Sequence, residues 1–199
     1  MSTRPFHHGN LRSVLLEQAE AMLHESGADA ISLRELARRA EVSHGAPRSH
    51  FIDKQTLLDA LAERGFDRLA HSVTSAASRH DSFAEKFGAV ARAYVRFAVD
   101  DAALMELMFA AKMNEPPQLL QDAAGRLFGA FDELMPGDEV DDADDSRLRF
   151  KLLFAATMQG TATLIAARRI TRDQGDAIVA DAVDTILRSE LAERALRQR

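Results

Sequence analysis

Cysteine is absent from this 199-residue chain, tryptophan is absent as well, and tyrosine occurs once. The missing thiols remove disulfide scaffolds, thiolate zinc sites and cysteine nucleophiles together, which fits a reducing compartment. Basic excess is lacking too. With 25 Lys+Arg against 31 Asp+Glu and a formal charge of −6, the chain is not one that coats nucleic acid by bulk electrostatics, so any such contact has to be a local patch. No run approaches the roughly 18 apolar residues of a membrane span, and the opening MSTRPFHHGN lacks the apolar core of a signal peptide. A soluble, cytoplasmic protein with no membrane partner is expected. Strict period-two alternation is hard to find over even six residues, which argues against sheets.

What is present is helical spacing almost everywhere, and the expectation is an all-α chain of about nine helices. A first helix is predicted from about Asn10 to Ser26, closed by Gly27. Ser32 with Glu35 forms a capping box that opens a short helix to about Ala40, Ser43 caps a second through Phe51, and Asp53 leads a long helix toward Arg79. Phe83, Phe87, Val90, Tyr94 and Phe97 mark the next, and Ala102 to Met113 another. Pro116-Pro117 starts a helix through Met135, and two last amphipathic helices run from about Ser146 to Arg168 and Thr171 to Leu196.

Chemistry-bearing constellations are scarce. No carboxylate pair, nucleophile-base set or phosphate loop stands at a useful spacing, so neither catalysis nor a cofactor is expected. Glu41 and His44 match one E-x-x-H spacing, but a single copy across a turn lacks the rest of a di-iron set. The acidic run Asp138 to Asp145 reads as a solvated loop, without the glycine and closing glutamate of an EF-hand. No metal site is expected.

The informative segment is Ser32 to Phe51: two short helices separated by Glu41, Val42 and Ser43, the length of a helix-turn-helix connection. Leu33, Leu36, Ala37, Ala40, Val42, Ala46 and Phe51 supply a small core, leaving His44, Gly45, Arg48, Ser49 and His50 outward on the second helix. In the DNA-binding form of the motif such a helix enters the major groove.

The stretch His7 to Phe66, with HHGNLR, the S-L-R-E-L-A helix, the V-S-H-G-A-P turn and His50-Phe51 followed by Lys54, resembles the N-terminal domain of the TetR (tetracycline-repressor) family of bacterial transcription regulators. Ala89 to Phe109 and Phe154 to Leu164 are similar to the C-terminal domain of one subgroup. The resemblance implies that Arg34 and Lys54 meet the DNA backbone or groove edge, that Ser43, His44, Gly45 and Ala46 lie closest to the bases, and that His50 faces a phosphate. Gly45 and Ala46 leave room for close approach, Ser43 as N-cap would place a helix dipole at the phosphates, and Arg4, His7, His8 and Arg12 form a candidate basic arm. The first sixty residues hold slightly more carboxylates than cations, so binding must depend on arrangement.

The chain departs from the family pattern twice. Arg48-Ser49 stands where an aromatic is usual, and Arg48 is taken as a DNA contact that replaces its hydrogen bond or reaches a guanine edge. Glu41 occupies a turn position commonly held by Gly, where φ > 0 is favoured.

Domains are expected at 7–55 for DNA binding and 56–199 for an antiparallel helical bundle that senses a ligand and dimerises. Most Met and Phe fall in the latter. Tyr94, Phe97, Met105, Met108, Phe109, Phe128, Phe131, Met158, Gln159 and Thr163 are the candidate lining of an apolar effector pocket, which the resemblance also implies. Leu152, Leu153, Ala156, Gly160, Leu164, Val179, Val183, Ile186 and Leu187 offer more apolar surface than one small bundle covers, so a homodimer with a four-helix interface and a palindromic double-stranded operator is expected. The overall expectation is a repressor tuned by an unknown small molecule. The alternative is a ligand-binding or enzymatic helical bundle that does not bind DNA.

Overall fold

The computed structural model describes residues 11–113, 116–136 and 145–196, and every regular element among them is helical. The chain divides into two compact units, one of residues 1–65 with 103–122 and one of residues 66–102 with 123–199. The division falls inside the long third helix and places the helix after Ala102 with the N-terminal segment. Arg4, His7 and His8 of the expected basic arm, and Asp138 to Asp144 of the acidic run, lie outside the described residues.

In the N-terminal unit α1 (Leu11–Ser26) buries Leu15, Leu16, Ala19, Met22 and Leu23. Gly27 ends it at φ 76, donating its N–H to the Leu23 carbonyl at 2.9 Å, a backbone position that a side chain disfavours. After a 3-10 turn, α2 (Leu33–Arg39) is capped by Ser32, whose hydroxyl accepts from the Glu35 N–H at 3.2 Å. The reciprocal half of the expected capping box goes elsewhere, because the Glu35 carboxylate is held by Arg38 at 2.6 Å and Arg39 at 3.2 Å. Arg39 also reaches Glu25 at 2.7 Å, tying α2 to α1. The long α3 (Lys54–Ala77) begins as expected at Asp53, whose carboxylate accepts from the Thr56 N–H at 2.8 Å. At Gly65 a Cβ would lie 2.6 Å from the Sδ of Met108, so the side chains of α5 (Ala102–Met113) press on α3 at this glycine and would have to shift for any larger residue.

The C-terminal unit is built on α4 (Phe83–Asp100) and α7 (Ser146–Ala166), with α6 (Gln118–Leu134) entering it from Ala123 onward. Ser82 caps α4 by accepting from the Glu85 N–H. The Phe87 ring centre lies 5.3 Å from that of Phe150 and 4.6 Å from that of Phe154, and Phe131 meets Phe154 edge-on at 5.2 Å. Such pairs add roughly 0.5–1.5 kcal/mol each beyond area burial. The last predicted helix is two: α8 (Arg172–Leu187) ends and α9 (Glu190–Ala195) restarts, because the Ser189 hydroxyl caps the Ala192 N–H and turns the chain. α7 packs on α4, α8 and α9, and α8 also on α4.

Candidate nucleic-acid interface

The turn after α2 is made by Glu41 at φ 54, with the Val42 N–H donating to the Ala37 carbonyl at 3.0 Å. The left-handed geometry expected for this position is therefore adopted by a glutamate, which bears the strain of its Cβ. Past it the expectation of a helix capped by Ser43 needs correction. Only Ala46–Ser49 are regular, as a single 3-10 turn preceded by Gly45, and no side chain caps it. Ser43 contributes its carbonyl, which accepts from the Ala46 N–H at 2.9 Å. Pro47 explains the shortening: it has no N–H for an α-helical bond back to Ser43, and its ring disfavours the helical basin for Ala46. A four-residue 3-10 turn carries no useful macrodipole, so side chains rather than a helix end must meet an anion.

Those side chains face outward. Pro47 and Phe51 are buried and anchor the segment, while Ser43, His44, Gly45, Arg48, Ser49 and His50 are exposed and Ala46 is half-exposed. Beneath them Leu36, Ala37 and Ala40 form the expected core, with Leu33 and Val42 at its edge. Gly45 has an ordinary helical φ of −84, and a Cβ there would meet nothing within 4 Å. Neither backbone nor packing requires glycine, whereas close approach by an outside surface would. The Ser49 hydroxyl donates to the Ala46 carbonyl at 2.7 Å, stiffening the turn.

Charge around this surface is sorted by pairing. Arg38 and Arg39 are paired with Glu35, whose carboxyl they hold down to about 2 through three charge-assisted hydrogen bonds, and Arg39 also pairs with Glu25 and holds its carboxyl below the usual value. Arg34 and Arg48 are exposed and meet no carboxylate among the described residues. Lys54 is half-buried, its ammonium donating to the Asp29 carbonyl at 2.8 Å, so it braces the start of α3 and has two further N–H groups to offer. Two features escaped sequence reading. The Arg12 guanidinium stacks over the Phe51 ring at 5.6 Å, fixing one cation beside the anchor, and Ile52 is 80% exposed next to His50.

The candidate pocket residues fall in both units. Tyr94, Phe97, Phe128, Phe131, Met158, Gln159 and Thr163 belong to the C-terminal unit, and Met105, Met108 and Phe109 to the N-terminal one. In the former, the Tyr94 hydroxyl donates to the Gln159 side-chain oxygen at 3.1 Å in a largely buried setting, and burial pushes the Tyr94 phenol well above its usual range. Thr163 is exposed and its hydroxyl donates to the Gln159 backbone carbonyl, and Phe109 is 41% exposed. Neither is turned into a core. Of the candidate interface residues, Leu152, Leu153, Ala156 and Gly160 are exposed on α7, joined by Leu148 and by Ile178 of α8. Leu164, Val183 and Leu187 are half-buried, whereas Val179 and Ile186 are buried within the protomer and serve its own core, because they sit on the inner side of α8.

The sequence of residues 15–61 matches the family model described as bacterial regulatory proteins of the tetR family, and residues 87–187 match the tetracyclin repressor-like C-terminal domain. Among solved structures, a protein of unknown function from Rhodococcus sp. RHA1 is 38% identical over 94% of this chain and 98% of its own, with a TM-score of 0.81. A TetR-family transcription regulator from Marinobacter aquaeolei VT8 is 16% identical over 87% of this chain and 93% of its own, with a TM-score of 0.65. The fatty acid degradation regulator FadR from Bacillus halodurans is 15% identical, covers 94% and 97%, and gives a TM-score of 0.68. No curated protein matches the sequence. With an outward-facing helix-turn-helix segment and family matches spread over both halves of the chain, this protein belongs to the TetR family of DNA-binding transcription regulators.

Proposed function

We propose that the protein is a homodimeric repressor whose hold on a palindromic operator is changed by a small apolar effector. The observation that carries this reading is the segment from Ser43 to His50, raised on Pro47 and Phe51 with the side chains of Ser43, His44, Arg48 and His50 exposed for base edges and phosphates. Arg34 and Arg48 supply the unpaired charge, Gly45 and Ala46 permit close approach, and Lys54, Ser49 and His50 flank them. In this reading neither catalysis nor a cofactor is involved, and the work is done in the cytoplasm.

Dimerisation is supported by the uncovered apolar face of α7, where Leu148, Leu152, Leu153, Ala156 and Gly160 lie open to solvent. An apolar face of this kind, covered by the same face of a second copy, closes in a two-fold dimer. Effector binding is supported by the largely buried Tyr94–Gln159 hydrogen bond, a polar handle in the unit that also holds Phe97, Phe128, Phe131 and Met158. Since α3 contributes residues to both units, an effector that prefers one setting of that helix shifts the population of DNA-competent dimers, and operator affinity changes by the same coupling factor.

Selection of bound duplexes from a random library tests the reading. It expects enrichment of two inverted half-sites, and recovery of unenriched sequences only would reject it.

A further inference from the structure

The turn between α7 and α8 holds three arginines in five residues, Arg168, Arg169 and Arg172. They rim a surface cavity of about 520 Å³ whose walls include Val99, Ile165 and Ile170. All three arginines are exposed. Arg172 is met by Asp100 at 2.9 Å, while Arg168 and Arg169 face no carboxylate within ion-pair reach among the described residues. In a chain of formal charge −6, this is a concentration of cation that internal pairing does not explain.

The backbone adds a second feature. Arg168 closes α7 at φ 55, with the Arg168 N–H donating to Ile165 and the Arg169 N–H to Leu164, both at 2.9 Å. This is the helix-ending position at which glycine is favoured, yet the side chain placed there is a long cation pointing from the rim. The N-terminus of α8 is not the attraction, since Thr171 and Gln174 already cap each other there.

We propose that this cavity binds a small amphiphilic anion, its phosphate or carboxylate head held by Arg168, Arg169 and Arg172 and its short apolar body laid on Val99, Ile165 and Ile170. Planar guanidinium groups suit two-oxygen contacts with such heads, and the volume falls in the range of small-molecule sites, roughly 300–1,000 Å³. None of these residues is among those assigned to the apolar effector above, so the two ligands are separable by mutation.

The test is calorimetric titration of the full chain with hexyl phosphate, inorganic phosphate and hexanol. Hexyl phosphate is expected to bind at least fivefold more tightly than inorganic phosphate, with no measurable binding of hexanol. Arg168→Gly removes the cation and relieves the left-handed backbone together, so it should unfold no more easily than the parent while losing tenfold or more in affinity. Arg169→Ala should lose a similar amount, and Arg188→Ala, at a paired arginine that follows the far end of α8, none. Equal affinity in Arg168→Gly and the parent overturns the proposal. So does an absence of hexyl phosphate binding in the parent, or binding only of random-sequence duplex that Arg168→Gly weakens, which would make the rim a contact for DNA phosphates instead.

Discussion

Replacing Glu41 by glycine separates backbone strain from charge at the turn that presents the recognition segment. Glu41 sits at φ 54 and is exposed, so its side chain packs against little and its cost is the left-handed backbone. That conformation costs a residue with a Cβ about 1–2 kcal/mol, and the extra freedom glycine brings to the unfolded chain takes back about 0.5–1 kcal/mol. Glu41→Gly should therefore stabilise by about 0.5–1 kcal/mol, a rise in thermal midpoint of about 1–4 °C for a chain of this size. Glu41→Gln keeps the strain and removes the charge, so its midpoint should stay near the parent's. Both variants should bind duplex DNA more tightly at low salt, because a carboxylate two residues before Ser43 opposes the phosphates. Calorimetric melting and fluorescence anisotropy with a labelled duplex read the two effects. A lower midpoint for Glu41→Gly, or the same gain from Glu41→Gln, refutes the strain account.

Gly65→Ala places a methyl 2.6 Å from the Met108 Sδ and should destabilise by about 1–3 kcal/mol; urea melts in a Met108→Ala background should show much of that cost vanish. Glu35, held to about 2 by Arg38 and Arg39 from an ordinary 4.5, binds fewer protons folded than unfolded near pH 4, so its contribution is present above about 4.5 and fades as pH falls toward 2. Glu35→Gln should flatten the loss of stability between pH 5 and pH 3, and an unchanged profile by circular dichroism would discount the pair. Leu152→Glu, at a residue half-exposed in the protomer, should shift the sedimenting species from twice the chain mass to once without unfolding it, and persistence of a dimer would move the interface elsewhere.

The helices were legible because their signals are local. Ser32, Asp53, Ser82 and Thr171 each cap the helix that their side-chain chemistry announces, and the apolar stripes of α1 and α4 report their buried faces directly. Where reading failed, one residue outweighed a pattern. Pro47 reduced an expected helix to a 3-10 turn, and Ser189 split the last helix because a cap competed with an otherwise continuous stripe. The exposure of His44, Gly45, Arg48, Ser49 and His50 followed from the period of the short core around Leu36 and Phe51. Pairing did not, since Glu25 with Arg39 and Arg12 with Phe51 join residues distant in the chain. Composition also could not divide Met and Phe between core and pocket, which is why Phe109 proves exposed, and an apolar stripe does not tell an outer from an inner face, which is why Val179 proves to be core.

The most direct measurement is the salt dependence of duplex affinity for the parent and for Arg34→Ala/Arg48→Ala, using a duplex recovered by selection. Each phosphate contact contributes about 0.9 to the slope of log affinity against log salt. Loss of tenfold or more in affinity, with a slope shallower by about one to two and an unchanged helical spectrum, is the result expected. Unaltered affinity and slope would contradict the claim that this exposed segment is what grips DNA.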